Sequence, residues 1–390
     1  MPSKASTQTS TQQSGQTAGA VSYRRIVVKA GTTLLTRQAE GLNLQVMATL
    51  VEQMAQLHKD RIETILVSSG AVAAGRHVLG VPREGRDVPL RQVLAAAGQG
   101  RLMHAYEQLF DWHQVPVAQA LLSRKDLTDR LGYLNVRNTL LSLLELRVIP
   151  IVNENDVVAV EELTGEVFGD NDNLSAMVAN LVDADLLVML GEVEGLFTND
   201  PNLDGNAKLI RTVERVDDQT QALAGSSWGD RGRGGMATKL EAAALAAASG
   251  MDVVIASGLE RDVLPRLASG ARVGTYFPAT STKMESRKRW MLSGLSTRGE
   301  IVIDAGASIA LRDDNHSLLA AGVKEVLGSF QRGDIVSIFD GDRDQIAAGI
   351  ANYDSDEMAK IQGKHSDLIA DLLGHHYGDE IVHRNNMVIL

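Results

Sequence analysis

Short runs of β-branched and aliphatic residues alternate with longer amphipathic stretches from Arg24 to about residue 260. Six runs have the length and composition of buried strands, at 26–28, 62–67, 115–120, 148–152, 186–190 and 253–256. Helical periodicity separates several of them, most extensively at 90–113. Parallel strands need such crossover connections, so the pattern predicts an α/β fold with a mainly parallel sheet sandwiched by helices.

The pattern changes after about residue 277. A polar, basic stretch at 281–289 precedes short strand-like runs at 300–304, 335–339 and 346–350, which predict a small β-rich second domain. The first 22 residues are rich in Ser, Thr and Gln and predict a disordered tail. We therefore expect a tail at 1–22, a main domain at 23–280, a linker at 281–298, a β-rich domain at 299–380 and a C-terminal segment at 381–390.

Composition excludes several classes of protein. The chain contains no cysteine, which rules out disulfides, thiolate metal sites and a cysteine nucleophile. Its net charge is −11, and residues 299–390 hold 16 acidic residues against 7 Lys and Arg, a balance that disfavours binding to generic nucleic acid. No stretch approaches the roughly 20 apolar residues of a membrane span, and no secretory signal begins the chain. We expect a cytoplasmic protein.

Lys29 is the first candidate for chemistry, because it ends a buried strand and precedes Gly31, Thr32 and Thr33. An ammonium group there can meet phosphate oxygens while glycine lets the backbone approach them. A lysine that extends to solvent from the strand is the competing interpretation. Both interpretations suit this segment taken alone.

A second cluster, Ser68-Ser69-Gly70-Ala71, follows a predicted strand and begins a helix. The free N–H groups of a helix start can receive an anionic group. Serine is also a common helix N-cap, and for this segment by itself capping is the stronger explanation.

Two runs of carboxylates and amides form the third cluster. They are Asn153-Glu154-Asn155-Asp156 and Gly169-Asp170-Asn171-Asp172-Asn173. Such side chains accept from an ammonium and donate to a carboxylate, as an amino-acid pocket requires. Each run alone is typical of turns and helix caps, and only the pair favours a site.

The fourth cluster is Gly232-Arg233-Gly234-Gly235-Met236-Ala237-Thr238-Lys239, which we predict to be a glycine loop before an alanine-rich helix at 240–249. Backbone amides of such a loop, with Lys239 close by, suit a phosphate group. A flexible turn is the alternative. The chain contains neither a Walker A sequence nor a dinucleotide-type G-x-G-x-x-G after a strand.

These motifs, taken in order, resemble those of the amino acid kinase family from about Arg24 onward, and the acidic C-terminal part resembles a PUA domain. The resemblance implies ATP-dependent phosphorylation of the side-chain carboxylate of L-glutamate to L-glutamyl 5-phosphate, the first step of proline biosynthesis. It also implies ATP with Mg²⁺ as the cofactor. A carboxylate nucleophile is ionised at neutral pH, so such an enzyme needs no general base.

The resemblance also assigns roles to residues. It implies that Lys29 and Lys239 contact the transferring phosphoryl group, that Asp172 holds both lysines, and that Ser69, Asp156 and Asn171 bind glutamate, with Asp156 at the α-ammonium. The implied ATP-binding residues are Lys29, Gly191, Glu192, Arg233, Gly234, Gly235, Met236, Ala237, Thr238 and Lys239. No dedicated protein metal site is expected, because Mg²⁺ arrives with the nucleotide.

Further expectations follow from the resemblance alone: feedback inhibition by proline, a homo-oligomer (dimer or tetramer), and handover of the product to glutamyl phosphate reductase. Two positions depart from the family pattern. Gly191-Glu192 stands where Thr-Asp is common, and Ala30 stands where a larger apolar residue is usual. Two alternatives stay open, namely another amino acid kinase, acting on N-acetylglutamate or aspartate, and an RNA-binding PUA protein.

Overall fold

The computed structural model describes residues 23–37, 41–81, 88–158, 171–201, 203–225, 233–283, 298–312 and 316–390. The expected tail at 1–22 and most of the expected linker at 281–298 lie outside these ranges. The strands of the N-terminal part are β1 (Arg25–Ala30), β2 (Thr36–Arg37), β3 (Gly41–Leu42), β4 (Glu63–Ser68), β5 (Val117–Leu122), β6 (Ile149–Glu154), β7 (Leu186–Gly191), β8 (Asp252–Ser257) and β9 (Thr275–Phe277). Its helices are α1 (Thr32–Leu35), α2 (Leu44–Lys59), α3 (Ala71–Leu79), α4 (Val88–Asp111), α5 (Arg124–Thr128), α6 (Arg130–Glu145), α7 (Asn171–Leu181), α8 (Asp218–Gly225), α9 (Arg233–Ala248) and α10 (Val263–Ala268).

A seven-stranded sheet organises this part, in the order β5-β6-β4-β1-β7-β8-β9, and all strands except β9 are parallel. Side chains alternate between the two faces, as the two-residue period of a strand requires. Val27 packs with α6, α7 and α9 on one face, whereas Ile26 and Val28 pack with α2, α4 and α10 on the other. The predicted sandwich is confirmed.

The glycine-rich segment before the alanine-rich helix differs from our prediction. We expected a glycine loop to introduce a helix at 240–249, with Lys239 one turn in, but α9 already begins at Arg233. Met236 and Ala237 pack against the core beneath the sheet, and this burial outweighs the roughly 1 kcal/mol that each glycine costs inside a helix. Hydrophobic periodicity does not reveal this helix start, because glycines have no apolar side chain that could extend the periodic pattern.

The C-terminal part forms the predicted β-rich unit. Its strands are β10 (Gly299–Ile303), β11 (Leu318–Leu319), β12 (Val323–Gly328), β13 (Ile335–Phe339), β14 (Gln345–Ile350), β15 (Glu380–Val382) and β16 (Met387–Ile389). They form a five-stranded sheet in the order β12-β10-β13-β14-β16 and a separate pair of β11 with β15. Its helices are α11 (Ala305–Arg312), α12 (Ser355–Ile361) and α13 (Ile369–Leu373), and 3-10 turns lie at Ala320–Gly322, Ser366–Leu368 and Arg384–Asn386.

The two parts meet along α6. Leu134 of α6 is fully buried against Ile350 and Val388 of the β-rich unit. Polar contacts flank this apolar patch: the Arg130 guanidinium lies 3.1 Å from the Asp334 carboxylate, and Asn135 accepts from Arg332 at 2.8 Å. The β-rich unit therefore rests on a helix that leads directly into β6.

The described residues include no helix that combines the length and apolar character needed to cross a lipid bilayer.

Candidate functional site

Asp172 joins two lysines from distant parts of the chain. Lys29, in β1, places its Nζ 2.6 Å from Asp172 Oδ1. Lys239, in α9, places its Nζ 3.0 Å from Asp172 Oδ2. Asp172 is the second residue of α7, next to the carboxyl ends of β1 and β7. The three side chains thus lie where ligands bind to parallel sheets.

Burial separates this cluster from an ordinary surface ion pair. Asp172 is 0% exposed and Lys29 is 2% exposed, so Lys29 does not extend to solvent from its strand. Burial acts to raise the pKa of Asp172, but attraction to Lys29 and then to Lys239 outweighs it and lowers the pKa to about 2. The carboxylate is therefore ionised at neutral pH and cannot serve as a proton donor.

Neighbouring groups hold the cluster rigid. Thr238 Oγ1 donates to Asp172 Oδ2 at 2.9 Å, and Lys239 Nζ donates to the Gly235 carbonyl at 3.1 Å. Ser175 Oγ donates to the Asp172 carbonyl at 2.6 Å. Such preorganised charges are the arrangement that stabilises charge developing in a transition state.

Two glycines keep the space beside the lysines open. A Cβ added at Gly31 would lie 3.6 Å from Lys29 Nζ, and a Cβ added at Gly191 would lie 3.9 Å from Lys239 Cε. A side chain at either position would therefore contact the lysine beside it. A phosphoryl group, small and anionic, suits this space.

Ser69 and Asn171 come together on the other side of Asp172. Asn171 Nδ2 donates to Ser69 Oγ at 2.9 Å, to the Ser68 carbonyl at 2.9 Å and to Asn153 Oδ1 at 3.0 Å. Gly70 is the N-cap of α3, with φ +107° and no side-chain cap hydrogen bond. The capping interpretation of this serine pair is therefore wrong, and Ser69 Oγ faces Asn171 instead.

Asp156 lies in the turn that follows β6 and is partly buried. The Asn155 amide donates to the Leu122 carbonyl at 2.9 Å, and Gln92 of α4 donates to the Val157 carbonyl at 3.1 Å. These contacts hold the turn near Asn153, at the same end of the sheet as Ser69.

The implied nucleotide residues occupy different environments. Gly191 ends β7, and Glu192 after it is exposed. In α9, Arg233 and Gly234 are the first two residues and Gly235 accepts from Lys239. Met236 is 5% exposed, with Ala237 packed beside it, so these two side chains face the core. Thr238 and Lys239, like Lys29, direct their side chains to Asp172.

Sequence reasoning missed Gln99 and Tyr106 of α4. Gln99 Oε1 accepts from Asn153 Nδ2 at 2.8 Å, and the Tyr106 hydroxyl lies 2.9 Å from Ser68 Oγ. The available signal was weak: Gln92 and Gln99 stand two turns apart, on one face of α4.

Within the described ranges, no group of three or more His, Asp or Glu side chains is spaced to hold a metal ion. Both oxygens of Asp172 are engaged by lysines. This donor set suits a magnesium ion carried by nucleotide phosphates and water.

Two domain families match the sequence. The sequence profile of the amino acid kinase family matches residues 24–257, and that of the PUA domain matches residues 299–373. The chain is 52% identical to a protein of Dehalococcoides mccartyi (strain 195) named Glutamate 5-kinase, over 94% of this chain and 99% of that protein.

Two further proteins with the same name are similar over nearly their full length. The protein of Herpetosiphon aurantiacus is 50% identical over 94% of this chain and 98% of its own, and that of Shewanella halifaxensis is 47% identical over 95% and 99%. Among solved structures, a UMP kinase from Bacillus anthracis aligns with a TM-score of 0.46 and 17% identity, over 67% of this chain and 98% of that chain.

Proposed function

The chain belongs to the amino acid kinase family and carries a C-terminal PUA domain, and from this premise we propose how its residues carry out the glutamate 5-kinase reaction. The enzyme transfers the γ-phosphoryl group of ATP to the side-chain carboxylate of L-glutamate, giving L-glutamyl 5-phosphate, the first step of proline biosynthesis. The observation that carries the site assignment is the bridge from Lys29 through Asp172 to Lys239, adjoining the Ser69–Asn171 cluster.

The nucleophile is a γ-carboxylate oxygen, which is ionised at neutral pH and needs no base. The main obstacle is repulsion between this anion and the γ-phosphoryl group. Lys29 and Lys239 supply two positive charges at that point, and Asp172 fixes where they lie. Two of the three Lys239 donors meet Asp172 and Gly235, and we assign the third to the transferring phosphoryl group.

Magnesium neutralises charge on the β- and γ-phosphates when bound. We propose that it enters with ATP, because both Asp172 oxygens already contact lysines. For the nucleotide we propose contacts from Gly191 and Glu192 at the end of β7 and from 233–239 of α9. The side chains of Met236 and Ala237 face the core, so only their backbone is available for this role.

For glutamate we propose Ser69, Asn171 and Asp156 as binding residues. Ser69 and Asn171 are in contact, and Asp156 lies in the neighbouring turn. A carboxylate at Asp156 suits the free α-ammonium of glutamate, which N-acetylglutamate lacks. The acetylated substrate cannot make this ion pair and should therefore be strongly disfavoured.

The test is trapping of the acyl phosphate with hydroxylamine. Incubation with ATP, Mg²⁺ and L-glutamate should give the γ-hydroxamate, and N-acetylglutamate or L-aspartate should give at most a few per cent of that rate. Preferential use of either alternative substrate would reassign the pocket.

We also propose regulation by proline, which shares an ammonium and an α-carboxylate with glutamate and so suits the same polar groups.

A dimer or tetramer is proposed because β5 is an edge strand, with Leu121 exposed on it and Trp112 80% exposed before it. Acyl phosphates hydrolyse readily, which favours handover to glutamyl phosphate reductase. We propose a cytoplasmic location, where ATP and glutamate are both present.

For the PUA domain we propose a structural or regulatory role without generic RNA binding. Several of its arginines already contact protein groups: Arg312 contacts Asp340, Arg343 contacts Glu325 and Arg332 contacts Asn135. With 16 acidic and 7 basic residues in 299–390, little positive charge is left for phosphates. A filter-binding assay at physiological salt should show no retention of RNA.

A further inference from the structure

Gln99, near the middle of α4, has a buried side-chain nitrogen with no hydrogen-bond partner among the described residues. Its other amide atom, Oε1, accepts from Asn153 Nδ2 at 2.8 Å. Native proteins rarely leave a buried amide N–H group without an acceptor, because its loss of hydration is then uncompensated. The Gln99 nitrogen is such an exception, and it lies beside the proposed glutamate site.

A chain of amides fixes the orientation of this nitrogen. The Ser68 carbonyl can only accept, so the atom of Asn171 that faces it must be Nδ2. The same Nδ2 donates to Asn153 Oδ1, which directs Asn153 Nδ2 to Gln99 Oε1. Because Gln99 Oε1 faces Asn153, the Gln99 NH₂ group is the donor at the end of this series of amides.

The opposite end of this series of amides, at Asn171, also has a polar atom without a hydrogen-bond partner among the described residues. Asn171 Oδ1 is buried and has no hydrogen-bond partner within the described part of the protein. One end therefore presents an acceptor and the other end presents a donor. An amino acid offers the complementary pair, since its ammonium donates and its α-carboxylate accepts.

The backbone of α4 is held close enough for Gln99 to take part. A Cβ added at Gly98 would lie 1.9 Å from the Ala71 carbonyl oxygen, so α4 touches the first residue of α3 directly. Gln92, two turns earlier, donates to the Val157 carbonyl next to Asp156. This face of α4 therefore borders both parts of the glutamate site.

We propose that Gln99 determines substrate specificity by donating a hydrogen bond from Nε2 to the α-carboxylate of L-glutamate. The γ-carboxylate has to reach Lys29 and Lys239 beside Asp172, whereas Gln99 is separated from Asn171 by Asn153. The α-carboxylate is the substrate group that remains for it. This inference rests on the proposed glutamate 5-kinase activity and adds a residue to its pocket.

The test compares Gln99→Glu with wild type in the full-length protein. The substitution keeps the acceptor for Asn153 but replaces the donor with an anion. We expect the KM for L-glutamate to rise roughly 10- to 100-fold, the range for losing a hydrogen bond to a charged group, with the KM for ATP within twofold. L-Isoglutamine, whose α-carboxylate is an amide, should gain at least tenfold relative to L-glutamate in kcat/KM.

Gln99→Met is the second variant, should Gln99→Glu fold poorly; it removes the donor without adding charge and should also raise the glutamate KM selectively. Gln108→Glu, on an exposed position of the same helix, is the control and should match wild type. Equal changes in the KM for ATP and glutamate, or an unchanged preference between glutamate and isoglutamine, would assign Gln99 a purely structural role and overturn the proposal. Absence of glutamate phosphorylation in wild type would instead refute the proposed function itself.

Discussion

Lys29 Nζ lies 2.6 Å from Asp172 Oδ1, and both side chains are almost completely buried at the carboxyl ends of the central strands. A buried ion pair is weak evidence for stability, because desolvation of the two charges offsets their attraction. Its position beside Lys239 and next to Gly31 is better explained by a role in fixing positive charge for phosphoryl transfer.

Asp172→Asn should impair both catalysis and stability, because it removes the anion that pairs with Lys29 and Lys239. The amide keeps the shape of the carboxylate but leaves two lysines with reduced compensation, so their positions become less defined. We expect kcat to fall on the order of 100-fold, the scale for disturbing one preorganised charge contact. Steady-state kinetics at saturating ATP and glutamate measure this, and a kcat within threefold of wild type would show that Asp172 does not position the lysines.

The same carboxylate predicts a pH dependence of stability. Its pKa is lowered from 3.8 to about 2, so its favourable interactions are fully present above pH 4 and are lost as the pH falls through about 2. The difference in unfolding free energy between wild type and Asp172→Asn should therefore be constant from pH 7 to pH 5 and should change below pH 4. Urea unfolding across this range measures it; a difference that varies only near neutral pH would mean that another group is titrating.

Removal of either lysine should lower kcat more than Asp172→Asn does. Lys29→Met and Lys239→Met should each lower kcat by at least roughly 100-fold, because each removes a positive charge from the transferring group. Lys59→Met, at an exposed position near the end of α2, is the matched control and should retain full activity. Near-normal kcat in Lys239→Met would contradict its assignment to the phosphoryl group.

Close contact between α3 and α4 predicts opposite effects for two neighbouring glycines. A Cβ at position 98 would lie 1.9 Å from the Ala71 carbonyl oxygen, so Gly98→Ala should push the helices apart and destabilise the protein by about 1–3 kcal/mol. No atom of the described residues lies within 4 Å of a Cβ at Gly100, so Gly100→Ala should stabilise α4 by about 0.5–1 kcal/mol. Thermal unfolding distinguishes the two, and equal shifts would rule out the close helix contact.

These helices also show where sequence reasoning succeeds and where it stops. The buried strands are recognisable because each is a continuous apolar run. Lys29 stands at the end of such a run, and Asp172 lies in a dense polar motif. Gln99 has no comparable signal, since a glutamine inside a long helix is ordinary. Its role depends on the Gly98–Ala71 contact and on the amide chain to Ser68, which join segments far apart in the sequence.

The start of α9 marks a second limit. Local propensity favours a loop at Gly234 and Gly235, and only the burial of Met236 together with the Thr238–Asp172 hydrogen bond makes a helix the better solution there. The hydrophobic periodicity of a sequence gives no information about tertiary contacts of this kind.

Truncation at Arg298 should preserve catalysis and lower stability. Every residue assigned to the site precedes residue 240, whereas the buried Leu134 packs against Ile350 and Val388 of the C-terminal part. We expect detectable glutamate phosphorylation and a melting temperature several degrees lower, from about 1.5–3 kcal/mol of lost burial. Full-length Val388→Asp should lower the melting temperature similarly; a soluble, folded truncation without activity would instead place the PUA domain in the catalytic machinery.

The central claim is that a γ-carboxylate oxygen of glutamate attacks the γ-phosphorus of ATP. Glutamate labelled with ¹⁸O in that carboxylate, incubated with the enzyme, ATP and Mg²⁺ and trapped with hydroxylamine, tests it most directly, because hydroxylamine attacks the acyl carbon and releases phosphate. Mass spectrometry of that phosphate should show one ¹⁸O atom per molecule. Unlabelled phosphate would mean that water, rather than glutamate, had accepted the phosphoryl group.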